Sequence, residues 1–211
     1  MNETIQQMLK KFKSYRNSYL KHEEKFKELA EHGQHPETLI IACVDSRIDP
    51  AILFNAALGE LLVIRTKANI VPAYDSAYPR EQVAAALEFA VNILQVKNII
   101  VMGHSDCGGI NFLVNQMPET KTCDSYISTW LEPLIPLKEK TQQQNPQAKS
   151  EELCKACEKA NTIQSYQNLA TYPWIKQKLK EKSLDIFAWY FNLSECQIEK
   201  YDPNKKTFIN K

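Results

Sequence analysis

Four short, largely apolar runs punctuate the chain: TLIIACV, GELLVIR, NIIVM and LDIFAWYF. Runs this short, without polar alternation, suit strands buried on both faces, and such strands belong to parallel sheets whose crossovers are helices. Between the second and third runs, EQVAAALEFAVNIL (81–94) places Val83, Leu87, Ala90 and Leu94 on one face of a predicted helix. Strand and helix alternate, so the predicted fold class is α/β, a mostly parallel β-sheet core flanked by helices. From residue 3 to 31, Ile5, Met8, Leu9, Phe12, Tyr19, Phe26 and Leu29 recur at helical spacing among charges, and Gly33 ends the pattern. The expected organisation is a single domain over 1–211, with an N-terminal helical arm (1–35) and an α/β core (36–211). Residues 119 to 170 are polar and read as mostly helical, with a loop near 142–149, and EKYDPNKKTF predicts a last edge strand or a tail.

The 211-residue chain is long enough to bury about 70% of its unfolded surface without disulfides. A net charge of +1 gives no electrostatic case for nucleic acid or an anionic membrane. No apolar run approaches the roughly 20 residues of a membrane span. The opening MNETIQQMLKKFKSYRNSYLKHEEKF lacks the apolar core of a secretion signal, and its acidic residues argue against a transit peptide, so a cytoplasmic protein is expected. In that setting Cys43, Cys107, Cys123, Cys154, Cys157 and Cys196 are metal ligands, nucleophiles or core residues before they are disulfides.

Only five glycines occur, and three fall within GHSDCGG, residues 103–109. Glycine permits positive φ and close backbone approach, and His and Cys are common zinc ligands. Unusual backbone angles are therefore expected where His104 and Cys107 share one ion. Sites in open α/β sheets form beyond the carboxyl ends of strands. LIIAC ends on Cys43, and NIIVMG leads into His104 and Cys107. If those strands are neighbours, two thiolates and an imidazole converge, and three protein ligands with an open fourth position mark a catalytic zinc. Asp45 projects to the same side as Cys43, with Arg47 placed to hold it by charge-assisted hydrogen bonds. Two thiolates neutralise a zinc dication, so its water should titrate above the roughly 7 of a three-histidine site, and activity should rise towards alkaline pH.

CVDSR followed by GHSDCGG resembles the β-class carbonic anhydrases. GELLVIRTKANIVPAYD, AALEFAV, ELCKACEKAN and NLATYPWI extend the likeness, especially to the plant-type branch, over about residues 25 to 202. The resemblance implies one zinc per subunit on Cys43, His104 and Cys107, and reversible hydration of CO2 to bicarbonate by zinc-bound hydroxide, activated by the Asp45–Arg47 dyad. It implies a homodimer, or a dimer of dimers, embraced by the helical arm. It puts Gln34 and the Gly108 backbone near the substrate, and Leu62 and Phe89 of the neighbouring subunit on the pocket wall.

The chain also departs from the family. Family members that close their site by moving the Asp onto zinc tend to carry Trp three residues before the first Cys. Ile40 stands there, so an open form with Asp45 paired to Arg47 is expected. Where the family reads R-N-x-[AG]-N, this chain reads Arg65-Thr66-Lys67-Ala68-Asn69, with Lys67 at a position usually small and apolar. Two alternatives follow: a zinc hydrolase of a related molecule such as CS2 or COS, or a bicarbonate-binding relative whose turnover Lys67 impairs. Cys154 and Cys157 read as core packing or exposed thiols.

Overall fold

In a computed structural model of the chain, residues 2–19, 23–75, 81–117 and 125–210 are described, and they fall into two compact units that divide between His35 and Pro36. The N-terminal unit holds α1 (Glu3–Tyr19) and α2 (Glu23–His32), with residues 20–22 of the expected continuous helix outside the described residues. Gly33, at φ 77°, ends α2 and donates its N–H to Leu29 O at 3.0 Å. Along α1, Ile5, Met8, Leu9, Phe12 and Tyr15 form an exposed apolar stripe.

In the larger unit β1 (Thr38–Cys43) is buried at every residue after Thr38. Its side chains alternate between two cores: Leu39 and Ile41 enter one, Ile40 and Ala42 the other. β3 (Asn98–His104) does the same with Ile99 and Val101 against Ile100 and Met102. Both faces of these strands are covered, which is why their sequences show no polar alternation. β2 (Leu61–Thr66) and β4 (Asp185–Asn192) complete a parallel set in the order β2-β1-β3-β4. The fold is thus the predicted α/β core, a mostly parallel six-stranded sheet flanked by helices.

The connections are helical. α3 (Pro50–Leu53) is capped by Asp49, and α4 (Gln82–Glu88) by Glu81, each side chain accepting two backbone N–H groups. The predicted helix over 81–94 keeps α geometry only to Glu88, then widens into a π turn over Phe89–Ile93, where Leu94 N–H reaches Phe89 O at 3.0 Å. After β3 come α5 (Gly108–Asn115), α6 (Tyr126–Leu131), α7 (Ile135–Gln144), α8 (Ser150–Leu169) and α9 (Pro173–Lys180). Residues 118–124, with Cys123, lie outside the described residues. α8 buries a polar stripe of Glu158, Asn161, Thr162 and Ser165 alongside Cys154 and Cys157, so both cysteines take the core-packing reading.

The C-terminal segment is more than one edge strand. β5 (Gln197–Asp202) and β6 (Thr207–Asn210) form an antiparallel hairpin on β4. Asp202 Oδ1 accepts the N–H groups of Asn204 and Lys205, and Lys206 turns the chain at φ 53°. An Asp side chain closing a turn around Pro203 is what reverses DPNK rather than letting it trail off. No described helix is long and apolar enough to cross a membrane.

Candidate metal centre and active site

β1 and β3 pair in parallel with Ala42 opposite Met102, so Cys43 and His104 finish at the same edge of the sheet. A short turn through Ser105 and Asp106 then brings back Cys107, which caps the start of α5. Cys43, His104 and Cys107 each present one ligand atom, all within 4.8 Å of one another, and all three residues are buried. The two sulfurs are 3.9 Å apart. His104 Nδ1 donates to Ser105 O at 2.8 Å, so in the neutral ring Nε2 carries the lone pair. Nε2 is buried without a hydrogen-bond partner. A buried, unsatisfied imidazole nitrogen beside two thiols is costly on its own and would be relieved by a metal ion.

The contact between the two sulfurs, opposed by burial and aided by the nearby His104, draws the Cys43 thiol well below the ordinary thiol range. The same contact with Cys43, together with burial, pushes the Cys107 thiol up. A cation bound by both sulfurs would displace a proton from the pair.

The glycines act differently from expectation. None of the three in GHSDCGG takes positive φ; Asp106, at 57°, makes the left-handed step. Packing explains two of them. A Cβ on Gly103 would fall 2.0 Å from Thr162 Oγ1, and one on Gly109 would meet Ala68 Cβ at 3.2 Å. A Cβ on Gly108 would meet nothing within 4 Å. Gly108 borders a cavity of about 290 Å³ next to Cys43 and Lys67, walled by Val44, Ala68, Phe112 and Ile127.

Arg47 holds Asp45 through Nε to Oδ1 at 2.9 Å and Nη2 to Oδ2 at 2.7 Å, and its backbone N–H adds a third bond to Oδ1 at 2.9 Å. These bonds hold the Asp45 carboxyl at about 2, and the carboxylate in turn raises the Arg47 guanidinium. Nη2 also donates to Asp106 O at 2.9 Å, tying the β1 loop to the turn that carries Cys107.

Two supporting residues were not anticipated. Arg65, on β2 opposite Ala42, donates to Cys43 O at 2.9 Å, Asp45 O at 2.5 Å and Asp49 Oδ2 at 3.2 Å. Glu158 accepts from Cys107 N at 2.8 Å and from Tyr190 OH at 2.7 Å while nearly fully buried, and burial raises its carboxyl. A lone Glu on the face of α8 that carries Cys154, Cys157 and Asn161 was the available signal. Of the expected substrate residues, Gly108 borders the cavity. Leu62 lies partly buried on edge strand β2, and Phe89 is 44% exposed at the start of the π turn; neither borders that cavity within one chain. Gln34 follows α2 in the N-terminal unit.

Fold and site define an α/β protein with a buried Cys–His–Cys group at adjacent strand ends that could hold a metal ion. The carbonic anhydrase family model matches residues 38–198. This chain belongs to that family, in the plant-type branch of its β class. It is 40% identical over 191 residues to beta carbonic anhydrase 6, mitochondrial, of Arabidopsis thaliana, covering 90% of this chain and 64% of that protein. It is 36% identical over 200 residues to beta carbonic anhydrase 5, chloroplastic, of the same plant, covering 94% and 65%. The chain thus spans slightly under two thirds of the length of these two relatives. The solved β-carbonic anhydrase CcaA superposes with a TM-score of 0.90 at 29% identity, over 99% of this chain and all of that one. A structure from work on two tetrameric β-carbonic anhydrases of Sordaria macrospora gives 0.82 at 25% identity, over 94% and 97%.

Proposed function

We propose that this chain catalyses the reversible hydration of CO2 to bicarbonate and a proton, with zinc held by Cys43, His104 and Cys107. The observation that carries the reading is the buried His104 Nε2, unpartnered and grouped with two cysteine sulfurs. Zinc supplies Lewis acidity, which makes water nucleophilic at moderate pH. Asp45 is the ionised acceptor that orients an attacking water through its O–H. Arg47 keeps that carboxylate charged and immobile by bonding both of its oxygens. The apolar wall of Val44, Ala68, Phe112 and Ile127 suits CO2, which carries no charge and makes few hydrogen-bonding demands. Gly108, with open space where a Cβ would be, leaves the main chain accessible to substrate.

The working unit in this reading is a homodimer or a dimer of dimers. Leu62 and Phe89 of the neighbouring subunit complete the pocket wall, and Gln34 contacts the substrate. Exposed Leu58, Phe89 and Ile93 on this chain support such an assembly, as does the tetrameric state named for the Sordaria proteins. A reducing, cytoplasmic setting belongs to the same reading, supported by five described cysteines that are all unpaired.

The test is stopped-flow CO2 hydration at about pH 8.5, above the roughly neutral titration of a three-histidine zinc site, on protein whose zinc content is assayed in the same sample. A rate above buffer with one zinc per chain is expected. Stoichiometric zinc with no such rate would overturn the reading.

A further inference from the structure

Among the described residues, Lys67 is the one basic residue that borders the cavity next to Cys43 and Gly108. Its backbone is held firmly. Lys67 opens a 3-10 turn in which Ala68 and Asn69 both take left-handed angles, at φ 55° and 47°. Such conformations in non-glycine residues persist only where the surroundings enforce them. Here Trp130 Nε1 donates to Lys67 O at 3.1 Å, Asn161 Nδ2 to Ala68 O at 2.6 Å and Thr66 Oγ1 to Ile70 O at 3.1 Å. None of these bonds uses the Lys67 side chain, which is exposed. No carboxylate among the described residues pairs with it.

The two arginines nearby are engaged within the fold. Arg47 is committed to Asp45 and Asp106 O, and Arg65 to Cys43 O, Asp45 O and Asp49. Charge accounting points the same way. Lys67 is the one formally cationic residue at the rim of this cavity, and no carboxylate lines it. An ammonium offers three donors and no acceptor, which suits an oxyanion and gives nothing to CO2.

We propose that Lys67 is an anion-binding residue of this site, which holds bicarbonate and biases the pocket towards the charged partner of the reaction. The proposal rests on the CO2–bicarbonate reading of the same cavity.

The test is calorimetric titration of the zinc-loaded full chain with bicarbonate, and separately with nitrate, at constant ionic strength. Wild type, Lys67→Met and Lys67→Arg are compared, with thermal melts to establish that each variant is folded. Loss of one partly solvated charge contact should weaken both anions about fivefold in Lys67→Met, while Lys67→Arg stays within about twofold of wild type. Equal affinity in wild type and Lys67→Met overturns the proposal, as does absence of anion binding to wild type. Stopped-flow hydration on the same samples separates the two readings. Lys67-dependent anion binding without hydration by wild type sinks the catalytic reading alone, and hydration with Lys67-independent binding sinks this one alone.

Discussion

Arg47 grips Asp45 in a two-bond fork, Nε to Oδ1 and Nη2 to Oδ2, and the same guanidinium reaches across to Asp106 O. One side chain therefore sets the charge of the carboxylate and spans the two strand-end loops next to Cys43 and Cys107. Asp45→Asn keeps the size of the side chain but removes its charge and one acceptor. It should retain zinc and lose at least about 100-fold in CO2 hydration, the usual scale for a positioned acid–base group. Stopped-flow rates with metal analysis check this, and unchanged turnover would take Asp45 out of the mechanism.

Cys107→Ser replaces a thiolate with a weakly ligating hydroxyl. Zinc affinity should fall by more than the roughly 10–100-fold that loss of an outer partner already costs. Metal content after dialysis against a competing chelator is the measurement, and a variant that stays stoichiometric would contradict the ligand assignment.

Glu158→Leu leaves the buried Cys107 N–H and the Tyr190 hydroxyl without their shared acceptor. A buried unpaired donor costs about 1–3 kcal/mol, so denaturant unfolding should show destabilisation of about 2–4 kcal/mol. A change below about 0.5 kcal/mol would mean that both donors find other partners.

Gly103→Ala drives a methyl into Thr162, whose hydroxyl already donates to Glu158 O at 2.8 Å. Overpacking of this kind costs about 1–3 kcal/mol. Removing the hydroxyl in Gly103→Ala/Thr162→Ala should recover part of the loss. Equal stability of the single and double variants would show that the clash is relieved elsewhere.

The buried Cys157 thiol is pushed up to about 11, chiefly by burial. The folded chain thus binds this proton more tightly than the unfolded chain, whose thiol titrates near 8.5. Its contribution to stability is complete below about pH 8.5 and declines as the pH rises through about 11. Native alkylation at about pH 8, read by mass spectrometry, should label exposed Cys196 well before Cys157. Equal labelling would contradict the burial.

Strands of the parallel core were legible because burial on both faces leaves an uninterrupted apolar run, as in Leu39 to Cys43. The Cys43, His104 and Cys107 group was legible for a related reason: each ligand ends or follows such a run. The π turn after Glu88 was not, because FAVNI carries the same apolar spacing in either helical geometry. The terminal hairpin was missed because its turn depends on the Asp202 side chain bonding forward. Arg65 and Glu158 act on residues 22 and 51 positions away in the chain, and local periodicity carries no such pairing. Of the two reasons for the glycines of GHSDCGG, close approach applies and positive φ does not. Gly103 and Gly109 answer to Thr162 and Ala68, neighbours that only the folded chain supplies.

None of the hydrogen bonds that fasten the turn over Lys67–Asn69 uses the Lys67 side chain. Position 67 is thereby uncoupled from the foldability of its own loop. A single codon change there can exchange an apolar lining for a cationic one without rebuilding the turn. The architecture offers evolution a socket for retuning what the pocket retains, with Cys43, His104, Cys107 and their supports left as they are.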